Sequence, residues 1–315
     1  MPEPAAAPPG PARPVGSAGL AGPTPRRALL GEAARVLRDA GVDAPWVEAQ
    51  LLLAHTLGVE WGQLLLGDDV GAGGRERFAA LVARRVRREP LQHITGQAPF
   101  RWIELAVGPG VFVPRPETEL VVDLAADALA GARAVVDLCA GSGAIALAVA
   151  HEYPLAAVTA VERSPAALDW LRRNADAQAA AGDRPVTVVA ADVVGWRPDD
   201  LRGTVDVVLA NPPYVPTTTV VGPEVHADPP EAVFAGHDGL DLVPALAATA
   251  AWLLTPGGMF VVEHDETHAG AVRDAVAAAG FDGVATEHDL AGRQRFATGR
   301  RSIRPATRQD GSSWA

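Results

Sequence analysis

Two hydrophobic rhythms divide this chain. Before Arg88, apolar residues recur at three- and four-residue spacing, the period of a helix with one buried face. Thr24 as N-cap and Pro25 at the first helical position open a helix that Gly41 closes. Asp43 starts a second, "DAPWVEAQLLLAHTLG", which ends at Gly58 and carries Trp46, Val47, Leu51, Leu52, Ala54 and Leu57 in a wide stripe. A short piece around Gln63 to Leu66 and an arginine-rich helix from about Arg75 to Arg88 complete a small helical domain. Its Arg84, Arg85, Arg87 and Arg88 read as a solvated helix end that complements the macrodipole, in preference to a site for an anionic partner.

From Glu89 to Pro116 the apolar runs are short and broken by Gly and Pro, which predicts a β-hairpin connector. Helical spacing resumes in "ETELVVDLAADALAG" from Glu117. Strands and helices then alternate: "AVVDLC" and "GAIALAVAHEY", "AAVTAVE" and a helix from about Ser164 to Ala181, "VTVVAAD", "VDVVLA", a long loop, a helix near Leu240 to Leu254, "GMFVVEH", "THAGAVRDAVAAAG" and two last strands around Gly283 to Glu287 and Gln294 to Ala297. Repeated βα units predict a doubly wound α/β domain with seven strands, mostly parallel, and helices on both faces. The domain plan is a disordered Pro/Ala/Gly-rich tail over 1–25, the helical domain over 26–88, the hairpin linker over 89–116, the α/β domain over 117–300 and a polar, fraying tail over 301–315.

Composition narrows the chemistry. The formal net charge is −11, which argues against a default nucleic-acid binder. All 27 basic residues are arginine, so neither a Schiff-base lysine nor a Walker-type phosphate lysine exists. Cys139 is the single cysteine, which excludes an intrachain disulfide framework and any multi-cysteine metal site. The eight histidines show no HExxH-like spacing, so no metal is expected. Neither a secretory signal nor a membrane span is legible, since Pro244 and "TPGG" interrupt the longest uncharged run. A cytoplasmic monomer is the expectation.

Polar residues at the ends of strands carry the candidate chemistry. "VVLANPPYVP" places Asn211, Pro212, Pro213 and Tyr214 directly after an apolar strand, which proline must terminate because it has no N–H. An amide is thereby held on a rigid turn where open α/β sheets bind ligands, although a capped loop would read the same way. Asp137-Leu138-Cys139-Ala140-Gly141-Ser142-Gly143 joins the first strand of the domain to its helix, a glycine turn suited to close backbone approach and to an anionic group at the helix N-terminus. Glu162 ends the next strand about 20 residues past the glycines, the spacing at which an acid meets ribose hydroxyls. Asp192 ends the third, where an acid can accept from an adenine amine. Each acid alone is equally a loop residue, and Ser164 in "ERSP" is a good helix cap; together the set is far more specific.

The chain resembles class I S-adenosylmethionine-dependent methyltransferases and, more narrowly, the bacterial peptide chain release factor glutamine methyltransferases. The resemblance runs from about Leu29 to Arg300 through "RREPLQHITGQAPF", "VGPGVFVPRPETEL", "VVDLCAGSGAIALAVA", "NPPYVP", "GHDGLDLVPAL" and "HDLAGRQRFATGR". It implies a seven-stranded sheet with the last strand antiparallel, S-adenosyl-L-methionine as cofactor, and methyl transfer to the side-chain amide nitrogen of the glutamine in a Gly-Gly-Gln motif of release factors. On that basis Cys139, Ala140, Gly141, Ser142, Gly143, Glu162, Asp192, Val193 and Asn211 face the cofactor. Asn211, Pro212, Pro213 and Tyr214 hold the glutamine, and Asn211, Pro212 and Tyr214 act in catalysis. The sequence departs from the pattern at Cys139, where the first glycine of Gly-x-Gly-x-Gly stands, and at Val193, where some relatives carry an aromatic.

The residue chemistry is consistent with this. An amide nitrogen is a poor nucleophile, so both of its N–H bonds must be gripped; the Asn211 oxygen and the Pro212 carbonyl are suitable acceptors, and Tyr214 can pack on the flat amide. Three competitors remain. A ribosomal-protein glutamine is one substrate alternative. An adenine amino-group methyltransferase uses the same kind of turn but calls for a basic target-recognition region. A nicotinamide oxidoreductase leaves "NPPY" unexplained.

Overall fold

The computed structural model describes residues 22–303. Residues 1–21 of the expected tail over 1–25 and the end of the chain from 304 lie outside the described residues. The chain forms two compact units that divide between Thr95 and Gly96.

The first unit is helical: α1 (Arg26–Asp39), α2 (Pro45–Leu57), a 3-10 turn (Trp61–Gln63), α3 (Ala72–Val86) and a short α4 (Leu91–Thr95). Leu30, Leu37, Leu52, Leu53, Phe78 and Val82 make its core. Thr24 is not an N-cap. Its backbone pairs with Val70 in both directions, at 3.0 and 2.8 Å, and its hydroxyl accepts from Arg75, so the helix starts after Pro25 without a side-chain cap. Of the arginine run, Arg87 is exposed as expected, whereas the other three are engaged. Arg85 is buried in an ion pair with Glu48, Arg84 pairs with Glu89, and Arg88 donates to the carbonyls of Ala40 and Gly41. These guanidiniums close helix ends within the unit itself.

The second unit opens with the antiparallel hairpin β1 (Gln97–Phe100) and β2 (Ile103–Ala106). The expected connector over 89–116 therefore begins as helix α4, and only its middle is hairpin. A 3-10 turn (Pro116–Thr118) leads into α5 (Glu119–Leu124) and α6 (Ala126–Leu129), one predicted helix interrupted at Ala125. The alternation that follows is β3 (Ala134–Leu138), α7 (Ala144–Glu152), β4 (Ala157–Glu162), α8 (Pro165–Ala181), β5 (Thr187–Ala190), β6 (Val205–Ala210), α9 (Pro230–Val233), α10 (Val243–Leu253), β7 (Leu254–Glu263), α11 (Ala269–Ala278), β8 (Phe281–His288) and β9 (Gln294–Arg301). Arg301 thus ends a strand instead of opening a frayed tail. Ser164 sits at the N-cap position of α8, yet its side chain makes no capping bond.

The seven strands lie in the order β5-β4-β3-β6-β7-β9-β8. All neighbours are parallel except β9, which is antiparallel to both β7 and β8. "TPGG" is absorbed as an irregularity inside β7, with Gly257 at φ +82°, where the register against β6 shifts. Alternate residues divide the core between two faces, as the pleat requires. Val135, Val158, Val207 and Leu209 pack with the apolar residues of α5 to α8, whereas Val136, Val161, Val208 and Val262 pack with α10 and α11. Central parallel strands buried on both faces read as continuous apolar runs, and that is why β3 and β6 were legible in the sequence. Between these two strands the winding direction reverses. Ligands bind at such a switch point beyond the strands' carboxyl ends, and both the glycine turn and Asn211 emerge there.

Candidate active site

The glycine turn leaves β3 through Cys139, which adopts φ +64°, and continues through Gly141 at φ +56° and Gly143 at φ +91°. The Ala140 N–H donates to the Val161 carbonyl at 3.0 Å and the Gly141 N–H to Glu162 Oε2 at 2.9 Å, tying the turn to the end of β4. A side chain on Gly141 would meet nothing within 4 Å, so the space beside its backbone is open. Gly143 is required for another reason. A Cβ there would stand 2.6 Å from Leu171 and 3.0 Å from Leu147. It serves helix-to-helix packing, a demand separate from the cofactor contact that the resemblance implies. Asn174 braces the turn from α8: its Nδ2 donates to the Ser142 carbonyl at 2.9 Å and to the Ala106 carbonyl at 3.0 Å.

Beneath the turn, Asp137 is fully buried. Its Oδ2 accepts the Ala146 N–H at 3.1 Å and its Oδ1 has no partner. Burial pushes its pKa up to about 8, and neighbouring Glu162 adds to the effect. Glu162 itself is buried, and its Oε1 accepts the N–H groups of Arg163 and Ser164 at 2.8 and 2.7 Å. Asp192 is half-exposed; one oxygen accepts the Val194 N–H and the other faces Arg163 at 3.3 Å. Val193 is buried between β5 and α10, and its carbonyl accepts the Thr249 hydroxyl.

On the other side of the switch point, Asn211 Nδ2 donates to Thr118 Oγ1 at 2.9 Å, and among the described residues nothing donates to its Oδ1. The Tyr214 hydroxyl donates to Glu263 Oε1 at 3.0 Å. Burial pushes the phenol well above its usual range and raises the Glu263 carboxyl to about 7. Gly239, at φ +79°, lies where a Cβ would be 2.3 Å from the Tyr214 carbonyl, so only glycine lets the chain pass there. Asp228, fully buried, accepts the Val113 N–H at 3.0 Å and pairs with Arg115, whose guanidinium stacks over Phe112.

Cys139, Ala140, Gly141, Ser142, Glu162, Asp192, Val193, Asn211, Pro212, Pro213 and Tyr214 all line one cleft of about 240 Å³. Phe112, Pro114, Arg115 and Thr118 form a wall on one side, and Val221, Val225 and Pro229 form one from the loop after Tyr214. Every predicted site residue except Gly143 is therefore brought together.

Comparison with known proteins identifies the family. Residues 28–96 match the PrmC N-terminal domain, and residues 107–227 match the methyltransferase small domain. The chain is 48% identical to the release factor glutamine methyltransferase of Streptomyces coelicolor over 284 residues, covering 88% of this chain and 98% of that one. It is 44% identical to that of Mycolicibacterium smegmatis with the same coverage. The chain belongs to the release factor glutamine methyltransferase family. Among solved structures it is similar to a methyltransferase from Pyrococcus furiosus, with TM-score 0.48 and 18% identity, covering 63% of this chain and 89% of that one.

S-adenosyl-L-methionine is the cofactor of a methyltransferase of this family, and the cleft suits it. The open backbone at Gly141 admits close approach, Glu162 stands at ribose-acid spacing, Asp192 offers an acceptor to an amine, and Val193 gives an apolar surface beside it. When bound, the cofactor supplies an electrophilic methyl group.

Four polar participants escaped the sequence reading of the site: Thr118, Asn174, Asp228 and Glu263. Thr118 sits inside "PRPETE" but had been given no role. Glu263 carried the same signal as Glu162, an acid at the carboxyl end of an apolar strand, and it could have been found that way.

Proposed function

We propose that this protein methylates the side-chain amide nitrogen of the glutamine in the Gly-Gly-Gln segment of peptide chain release factors, as a cytoplasmic monomer. The carrying observation is Asn211. Its Nδ2 is committed to Thr118, so its Oδ1 is left to accept, beside the Pro212 carbonyl, at the edge of the cleft that Gly141 and Glu162 line. Two acceptors that grip the two N–H bonds of a primary amide orient its nitrogen lone pair away from them, and a site walled by apolar residues excludes water. Tyr214, pinned by Glu263, presents its ring to the flat amide. The relatives' names support glutamine as the acceptor. The net charge of −11 weighs against a nucleic-acid substrate.

Incubation with labelled S-adenosyl-L-methionine and release factor, its Gln-to-Ala variant, or duplex DNA tests the reading. Label is expected on release factor alone and is lost with the glutamine; label on DNA overturns it. Asn211→Ala is expected to abolish transfer while cofactor binding survives, and near-normal turnover of that variant would refute the assignment.

The helical unit, residues 26–88, is read as the grip on the protein substrate, because a flexible Gly-Gly-Gln loop offers little surface for specificity. Trp61 and Leu66 are large apolar side chains that its core leaves exposed. Trp61→Ala combined with Leu66→Asp should raise KM for release factor and leave cofactor affinity unchanged.

A further inference from the structure

The peptide unit between Val193 and Val194 is held at both poles. Its carbonyl accepts the Thr249 hydroxyl at 2.8 Å, and its N–H donates to Asp192 Oδ1 at 2.9 Å. Thr249 is fully buried in α10, whereas Asp192 and Val193 line the cleft. Arg197 Nη1 donates to the Thr249 hydroxyl oxygen and, at 2.8 Å, to the Trp196 carbonyl.

A hydroxyl has one proton. The Ala245 carbonyl also stands 2.9 Å from the Thr249 oxygen, but the helix already supplies that carbonyl with the Thr249 N–H. Among the described residues no other group donates to the Val193 carbonyl, so the hydroxyl proton is what satisfies it. In a planar trans peptide the carbonyl and the N–H point in opposite directions. A rotation that takes the carbonyl from Thr249 therefore takes the N–H from Asp192 as well. The carboxylate, half-exposed and with its other oxygen 3.3 Å from Arg163, is then free to swing towards that guanidinium.

We infer that Thr249 is a positioning residue for cofactor binding: it fixes the Val193–Val194 peptide and, through it, aims the Asp192 carboxylate at the adenine amine. The inference rests on the reading of Asp192 as that amine's acceptor, and it assigns a side chain that acts only through this peptide. A valine at position 249 keeps the shape of threonine but leaves the Val193 carbonyl without a donor. The peptide then settles in another orientation, and a bound cofactor must restore the first one, so the cost falls on affinity. Asn211 and Tyr214 follow a different strand, β6, and the methyl-transfer step is unaffected.

Calorimetric titration of the full-length protein with S-adenosylhomocysteine and with S-inosylhomocysteine, which carries a carbonyl oxygen where adenine carries its amine, tests this. Wild type should prefer the adenosyl form by about tenfold or more. In Thr249→Val the adenosyl Kd should rise about tenfold while the inosyl Kd changes little, so the preference collapses. Thr249→Ser, which keeps the hydroxyl, should restore it. Arg197→Met, at a half-buried position, frees the same hydroxyl to turn back to Ala245 and should narrow the preference in the same direction even if Thr249→Val does not fold. The kcat at saturating cofactor should stay at the wild-type value. Wild-type preference in both Thr249→Val and Arg197→Met would overturn the inference, and so would an equal loss of affinity for both ligands, the outcome of a merely structural threonine. If wild type itself binds the two ligands equally, the adenine reading of Asp192 fails, and the inference falls with it.

Discussion

Glu162 and Gly141 are joined by a 2.9 Å hydrogen bond from the glycine N–H to Oε2, while Oε1 of the same carboxylate takes the N–H groups of Arg163 and Ser164. One side chain thus ties the turn after β3 to the turn after β4. Glu162→Gln leaves an NH2 facing a backbone N–H at one end or the other. Bonds to a charged acceptor are worth about 1.5–3 kcal/mol each. The variant should therefore lose about 2 kcal/mol of stability, and its affinity for S-adenosyl-L-methionine should fall about tenfold or more. Calorimetric titration alongside thermal unfolding checks both, and unchanged affinity would reduce Glu162 to a loop cap.

Cys139 occupies a left-handed conformation at φ +64° that costs a residue with a Cβ about 1–2 kcal/mol. Cys139→Gly removes that cost but adds unfolded-state entropy, so the net gain in stability is expected to be about 0.5–1 kcal/mol, readable by urea unfolding. Burial pushes the thiol well above its ordinary range, so alkylation by iodoacetamide should be slow in the folded protein and fast in urea.

Asp228 fastens the loop after Tyr214 to the Val113–Arg115 segment, and both stretches contribute residues to the cleft lining. Asp228→Ala leaves the Val113 N–H and the guanidinium without it. Arg115 is partly exposed, so the loss should fall below the full cost of a broken buried pair, at about 2–3 kcal/mol. Asp228→Asn, which can still accept from Val113, should lose less. Protease digestion should cut the Asp228→Ala loop sooner, and equal resistance would show that the fastening is not what holds the wall.

Asp137 is held up at about 8, above the ordinary carboxylate value of 3.8. The folded form keeps its proton where the unfolded chain has released it, so stability falls as pH rises from the ordinary carboxylate range towards about 8. Asp137→Asn removes the charge and keeps an acceptor for the Ala146 N–H. It should match wild type near pH 4 and exceed it by a few kcal/mol at most near pH 9, in urea titrations at the two pH values.

The sequence carried the site's outline because its signals are local. An apolar run stopped by Pro212, a glycine turn after β3, and acids at the ends of β4 and β5 are each readable within a few residues, and repeated βα units fix where strand ends gather. The steric demand on Gly143 was hidden for the same reason: its spacing suits a cofactor loop, while the packing constraint comes from Leu171, 28 positions away. Thr24 likewise looked like a cap from its proline neighbour, and a strand-like pairing with Val70 claimed it instead.

What the sequence by itself determined is which residue types stand at the carboxyl ends of which strands, since hydrophobic period and proline or glycine breaks are properties of short segments. Only the tertiary structure decided how those residues are held. Thr118 lies 93 residues from Asn211 and Glu263 lies 49 from Tyr214, and both meet their partners because β6 and β7 are adjacent in the sheet and the Pro116–Thr118 turn folds over them. Hydrogen-bond direction and the orientation of a carboxamide depend on such distant neighbours. No local pattern encodes them.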